Sequence, residues 1–299
     1  MHHVVDQLLL SNRKRMTIKN KPGFDPLYGI DRLTIWIDVP LQNNQLPATL
    51  SRQPKITSRS MQWNPLWKCK IALFQPTHSD LLKIHDAFSG WAQLIPNYIE
   101  LNVDLLASSA AQACSIRNGL IKVARFMHVQ HRIGAYKSTL YAGKRSSPAG
   151  SQGAKKEPHV IAAYYDKPSK DLRAMKYVNK SSCMHLEHRL AGADTLAKNG
   201  ISSLEDLLSF DHVNFHNRML RMHILPSQTD HGDLLGSANA NARRAGPAAL
   251  RKRSRNWQAQ FMVDGAFCLH NALRDRPELI AKLPEQSFSD WLETGLTIN

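Results

Sequence analysis

Apolar and polar positions alternate with a period of two in several short stretches of the chain. In LTIWIDV, Leu33, Ile35 and Ile37 alternate with Thr34, Trp36 and Asp38, the pattern of a strand with one buried face. KCKIALF (68–74), YIELNVDLL (98–106), STLYAG (138–143), VIAAYYD (160–166) and MHLEHRL (184–190) read the same way. Between them the spacing widens to a helical one. A helix is predicted over 79–94, with Ser79 as N-cap and Leu82, Ile84 or His85, and Phe88 on one face. A second is predicted over 108–131 through Ile116, Leu120, Val123 and Phe126, and a third around 202–223. Trp257, Phe261, Phe267, Leu269, Leu273, Ile280, Leu283 and Trp291 predict amphipathic helix over 257–293.

This order predicts an α+β domain over 28–225 followed by a small helical appendage over 257–299. Two stretches break the pattern. Residues 1–27 form a basic leader holding Arg13, Lys14, Arg15, Lys19 and Lys21, expected to be poorly ordered or laid against phosphates. Residues 226–256, small and polar and then strongly basic, read as a linker.

Composition narrows the class. The 299 residues are 42% hydrophobic, enough for a real core, which argues against a wholly disordered chain. No apolar run approaches the roughly 18 residues of a membrane span. At the N-terminus charge follows the short apolar stretch, the wrong order for a secretory signal. Cys69, Cys114, Cys183 and Cys268 stand singly, which suits reduced thiols in a cytosolic protein. With 39 Lys and Arg against 24 Asp and Glu the net charge is +15, and a polyanion, most often nucleic acid, is the expected partner.

The strands also place chemistry on definite faces. Glu100, Asn102 and Asp104 share one side of their strand. In MHLEHRL, His185, Glu187 and Arg189 face away from Leu186, His188 and Leu190. Tyr165 and Lys167 share a face, opposite Tyr164 and Asp166. Carboxylates converging from neighbouring strands are what a hard divalent cation needs. Taken one at a time, each acid reads better as part of an ordinary solvated strand face, and only the combination is more specific.

The order YIELNVD, TLYAGKRSS, IAAYYDK, HLEHRL resembles the replication initiators of rolling-circle plasmids and filamentous phages, and GIDRLTIWIDVP is similar to the first strand of the phage members. The resemblance spans about residues 29–225. It implies an antiparallel sheet packed with helices. It also implies a DNA nicking and joining enzyme of the bacterial cytoplasm, whose tyrosine attacks one phosphodiester of origin DNA and leaves a 3′-OH for a polymerase. By motif position the nucleophile is Tyr165, with Tyr164 as second choice. The implied cofactor is a divalent metal, Mg²⁺ or Mn²⁺, with Glu187 and Glu100 as its first-choice ligands and Asp104 and Asp38 after them. Lys167 would sit beside the phosphate, while Lys144, Arg145 and Ser146 would grip the DNA backbone, with Arg189 beside them. Arg251, Lys252 and Arg253 in LRKRSR, like SNRKR (11–15), would add salt-dependent phosphate contacts.

The chain departs from many rolling-circle enzymes in having no His-hydrophobic-His triplet, which favours the branch that uses carboxylates. For the helical tail three roles stay open: dimerisation, contact with origin duplex, or recruitment of a host helicase. A non-catalytic DNA-binding protein on a related fold, or an RNA-binding one, fits the charge as well. Tyr136, Tyr141 and Trp36 are candidates to stack unpaired bases, whereas Trp67 reads better as core. His212 and His216, spaced i, i+4, with His223 seven further on, lack the Glu of a His-Glu-x-x-His zinc motif and read as coincidence among 14 histidines. No phosphate-binding G-x-x-x-x-G-K-[ST] loop and no G-x-S-x-G elbow occurs.

Overall fold

The alternation of Leu33, Ile35 and Ile37 is realised in a long strand, β1 (Pro26–Ile37), with all three side chains fully buried. The computed structural model describes residues 26–42, 45–58, 66–127, 129, 132–136, 138–142, 159–165, 182–224, 262–275, 277 and 283–294. The leader up to residue 25, the 143–158 loop, Asp166, Lys167 and the 226–256 linker lie outside the described residues.

After β1 come β2 (Lys55–Ser58), β3 (Cys69–Phe74), α1 (His78–Phe88), β4 (Leu94–Ala107), α2 (Ala110–Val123), β5 (Ala124–Phe126), β6 (Ile133–Tyr136) and β7 (Thr139–Ala142). Then follow β8 (His159–Tyr165), β9 (Ser182–Ala191), α3 (Ala193–Ala197), α4 (Leu204–Leu208), α5 (His212–Met219) and β10 (Leu220–His223). The tail supplies β11 (Met262–Val263), β12 (Ala266–Phe267), α6 (Leu269–Asp275), β13 (Glu285–Gln286) and α7 (Phe288–Thr294). Eight strands form one sheet in the order β2-β3-β1-β4-β9-β8-β7-β6, each pair antiparallel. The fold is thus α+β, with an antiparallel sheet packed by helices.

One face of that sheet carries the core. Ile99, Leu101, Leu33, Ile35 and Ile71 meet Leu81, Ile84 and Phe88 of α1, Leu196 of α3, Leu204 of α4 and Phe215 of α5. Val103, Leu105, Met184 and Leu186 meet Ile116 and Leu120 of α2. Val263, Ala266, Cys268, Phe288, Trp291 and Leu292 belong to this second cluster.

The tail is therefore not an appendage beside the domain, because its apolar residues complete the core over α2. Polar bonds tie it further. Asn271 takes the backbone N–H of Ile133 at 2.8 Å and returns a bond to its carbonyl at 3.0 Å. The fully buried Arg117 of α2 pairs with Asp264 and donates to the Ser138 carbonyl at 2.9 Å.

Several element boundaries differ from the sequence pattern, each for a local reason. α1 is capped by Thr77, not Ser79: Asp80 returns the bond to the Thr77 backbone, closing a capping box, and Gly90 at φ +86° lies just beyond the helix end. The helix expected to reach 131 stops at Val123 because Ala124–Phe126 pair with Leu220–Met222. The helix expected around 202–223 is two short helices and a strand, since Asp211 caps a fresh helix start by accepting from the Asn214 backbone at 2.9 Å.

Candidate metal centre

The other face of the sheet carries polar side chains in register. Across β4 and β9, Glu100 stands opposite Arg189, Asn102 opposite Glu187 and Asp104 opposite His185. This is the grouping that alternation predicts. On the far side of β4, β1 contributes through a β-bulge: the register steps from Ile30 opposite Leu101 to Arg32 opposite Glu100. Ile30 and Leu33 both belong to the helix-side core, so the bulge leaves Asp31 and Arg32 consecutively on the polar face.

Asp31 thereby reaches over β4 to β9. Its Oδ2 lies 3.2 Å from His185 Nε2, and Glu187 Oε2 lies 3.4 Å from the same nitrogen. Ligand atoms of Asp31, His185 and Glu187 all fall within 4.8 Å of one another, the one such group of three among the described residues. His185 is aimed by Asp104, whose Oδ1 lies 2.6 Å from Nδ1 and also accepts from Cys183 Sγ at 3.3 Å. A carboxylate behind a ligating imidazole fixes its tautomer and ring orientation.

Charges inside this nest are strongly coupled. Burial opposes charging His185, but Asp104, Asp31 and Glu187 outweigh it and hold its pKa well above the usual value. Burial would raise Glu187, yet the bond and charge of His185, with Arg189, bring it down to about 2. Two carboxylates and one imidazole around a common point suit a small divalent cation, with the oxygens favouring Mg²⁺ or Mn²⁺. Asn102 adds a buried carboxamide oxygen that has no hydrogen-bond partner among the described residues, next to Glu187 in register.

The residues expected from sequence are distributed unevenly around this centre. Glu187 is in it. Asp104 stands one step behind, holding His185. Glu100 lies on the same row but accepts from Tyr98 Oη at 2.5 Å and faces Arg189 Nε at 3.7 Å. Burial and the charge of Glu187 push its pKa up. Asp38 is beyond the end of β1, where it accepts from the Gln93 backbone at 2.9 Å. Arg189, expected at DNA, is paired with Glu187.

Tyr165 is paired in register with Cys183, and Tyr164 with Met184. By strand alternation the Tyr165 position belongs to the row of Cys183, His185 and Glu187, and the Tyr164 position to that of Met184 and Leu186. Lys144, Arg145, Ser146, Lys167, Arg251, Lys252 and Arg253 lie outside the described residues. Sequence reasoning singled out neither Asp31 nor His185 as a candidate ligand. Alternation already set His185 beside Glu187, whereas Asp31 becomes visible only through the bulge.

Of the histidines set aside as coincidental, His212 and His216 lie on α5 and His223 is buried in β10. His216 is fully buried against Tyr28 and His188, with ring centroids at 5.4 and 5.2 Å. Burial lowers His212 to about 4 and His216 to about 3, so both are neutral near pH 7. No protein-family model matches the chain, and no curated protein matches it.

Proposed function

We propose that this chain is a DNA nicking and joining protein that starts rolling-circle replication of a phage or plasmid. The observation that carries this reading is the convergence of Asp31, His185 and Glu187 on one sheet face, with the Tyr165 position on the neighbouring strand paired to Cys183 in the same row as His185 and Glu187. A two-carboxylate, one-imidazole nest, with His185 and Glu187 buried and Asp31 half-buried, in a chain of net charge +15 suits metal-assisted chemistry on a phosphodiester. A divalent metal held by Asp31, His185 and Glu187 would polarise the scissile phosphate.

In this reading the Tyr165 hydroxyl loses its proton and its oxygen bonds to phosphorus. The P–O3′ bond breaks, leaving a 3′-OH and a 5′-phosphotyrosine. Tyr164 is the second choice of nucleophile. Asp104 orients His185, and Glu100 with Arg189 borders the centre on the Tyr98 side. Lys167 offsets charge on the phosphate, and Lys144, Arg145, Ser146, Arg251, Lys252 and Arg253 hold the DNA backbone without choosing its sequence. The partner this reading requires is origin DNA in the cytoplasm of a bacterial host.

The test is a denaturing gel of purified protein with labelled single-stranded DNA from the replicon that encodes it, with Mn²⁺ present or chelated. A metal-dependent, protein-linked labelled band that survives in Tyr164→Phe and disappears in Tyr165→Phe is the expected result. If no adduct forms while DNA binding persists, the protein is a binder and not a nicking enzyme.

A further inference from the structure

The polar sheet face continues past the metal centre, away from β9, onto β1, β3 and β2. Register and alternation assign to this side Arg32, Thr34 and Trp36 of β1, Lys70, Ala72 and Phe74 of β3, and Lys55 and Thr57 of β2. No acid is among them. The helices α1, α4 and α5 pack on the opposite side, against Leu33, Ile35, Ile37, Ile71 and Leu73.

Cations and rings interleave along this face. Arg32 Cζ lies 5.7 Å from the Phe74 ring centroid and 5.3 Å from that of Tyr98, so the guanidinium is gripped between two rings. Its Nε is buried and has no hydrogen-bond partner among the described residues. Lys70 Nζ lies 6.0 Å over the Trp36 ring. Phe74, the last residue of β3, is 40% exposed, so its ring is open to solvent beside the Arg32 guanidinium.

We propose that this face, from Arg32 and Phe74 to Trp36 and Lys70, is a track for single-stranded DNA that leads into the centre built on Asp31. The inference rests on the nicking reading and extends it, by naming where the unpaired strand lies. Aromatic rings set among cations on a flat sheet are the general apparatus for unpaired nucleic acid: bases stack on rings while cations meet phosphates. Phe74 stands opposite Arg32 and Lys70 opposite Trp36, four residues apart along β3, or roughly 13 Å. That length accommodates about four stacked nucleotides at ~3.4 Å each. The bulge couples the two sites, since the residue after Asp31 is the cation that begins the track.

The experiment is fluorescence anisotropy of the full chain with labelled oligothymidine in EDTA, where no cleavage contributes. Phe74→Ala and Lys70→Ala are expected to weaken binding about 5-fold or more each, with melting temperature and circular dichroism unchanged and Phe74→Tyr restoring affinity. Unchanged affinity in both alanine variants would overturn the track, as would tighter binding of oligouridine or of a duplex of equal length. The gel assay fails independently: loss of the covalent adduct with oligothymidine binding intact sinks the nicking reading and leaves the track standing. An adduct that forms normally in Phe74→Ala and Lys70→Ala, with unchanged affinity, sinks the track alone.

Discussion

The Asp104 carboxylate lies 2.6 Å from Nδ1 of His185, and that contact turns Nε2 of the same ring towards Asp31 and Glu187. The imidazole is thus clamped on one edge and presented on the other. Outer carboxylates of this kind typically raise metal affinity 10- to 100-fold. Asp104→Asn should therefore weaken Mn²⁺ binding about 10-fold or more, read by calorimetric titration, with the fold retained. Affinity equal to wild type would mean that Asp104 serves only packing.

Asp31 shares a centre with His185 and Glu187, whereas Glu100 is engaged with Tyr98 and faces Arg189. Saturating Mn²⁺ should raise the wild-type melting temperature, since a ligand at 100 times its Kd stabilises by about 2.7 kcal/mol. Asp31→Asn should abolish most of that rise and Glu100→Gln should keep it. The reverse ranking would move the metal to the Glu100 end of the row.

What the sequence revealed here follows from what is local. Alternation along β4 and β9 assigned Glu100, Asn102 and Asp104, and His185, Glu187 and Arg189, to the right faces, because in a strand each residue's side is fixed by its neighbours. Asp31 was hidden because a bulge is a mismatch between two strands, and β1 alone carries no sign of where β4 skips. The end of α2 was hidden likewise: residues 124–126 continue an apolar pattern but pair with β10, which lies about a hundred residues later in sequence. The tail's apolar spacing predicted helix over 257–293, but Met262–Val263 and Ala266–Phe267 pair as strands and helix among the described residues is confined to Leu269–Asp275 and Phe288–Thr294, because the segment folds back onto a core whose position spacing does not specify.

Gly29 and Asn102 are opposite one another in register, and a Cβ added at Gly29 would stand 2.9 Å from Asn102 Oδ1. Gly29→Ala should destabilise the protein by about 1–3 kcal/mol through this close approach. In urea unfolding, the double variant Gly29→Ala, Asn102→Ala should recover much of the loss, because the obstructing oxygen is gone. Purely additive effects would place the strain elsewhere.

Arg117 and Asp264 join α2 to the β11–β12 turn, and removing the carboxylate would leave a buried cation with less compensation. Because Asp264 is partly exposed and Arg117 also bonds the Ser138 carbonyl, the cost should be about 2 kcal/mol, below the range for fully buried pairs. Asp264 also holds φ at +51°, where Asn is tolerated better than Ala. Thermal melts should therefore rank wild type above Asp264→Asn and Asp264→Ala lowest. Equal stability of Asn and Ala variants would show that neither the bond nor the backbone conformation matters there.

His216, fully buried beside Tyr28 and His188, gives the fold an acid limit that the variant His216→Phe should relax. Its pKa falls from an unfolded value near 6.5 to about 3, chiefly because burial penalises the charged ring. For a base held neutral in the fold, the unfolded chain binds the extra proton first. The stabilisation is therefore whole above pH ~6.5, is lost progressively as pH falls, and stops changing only below about 3. At pH 5 the loss attributable to this ring is about 2 kcal/mol. Urea unfolding at pH 7 and pH 5 should show a drop in wild type that is smaller by about that amount in His216→Phe. An identical drop in both proteins would mean that His216 is already solvated enough to titrate normally.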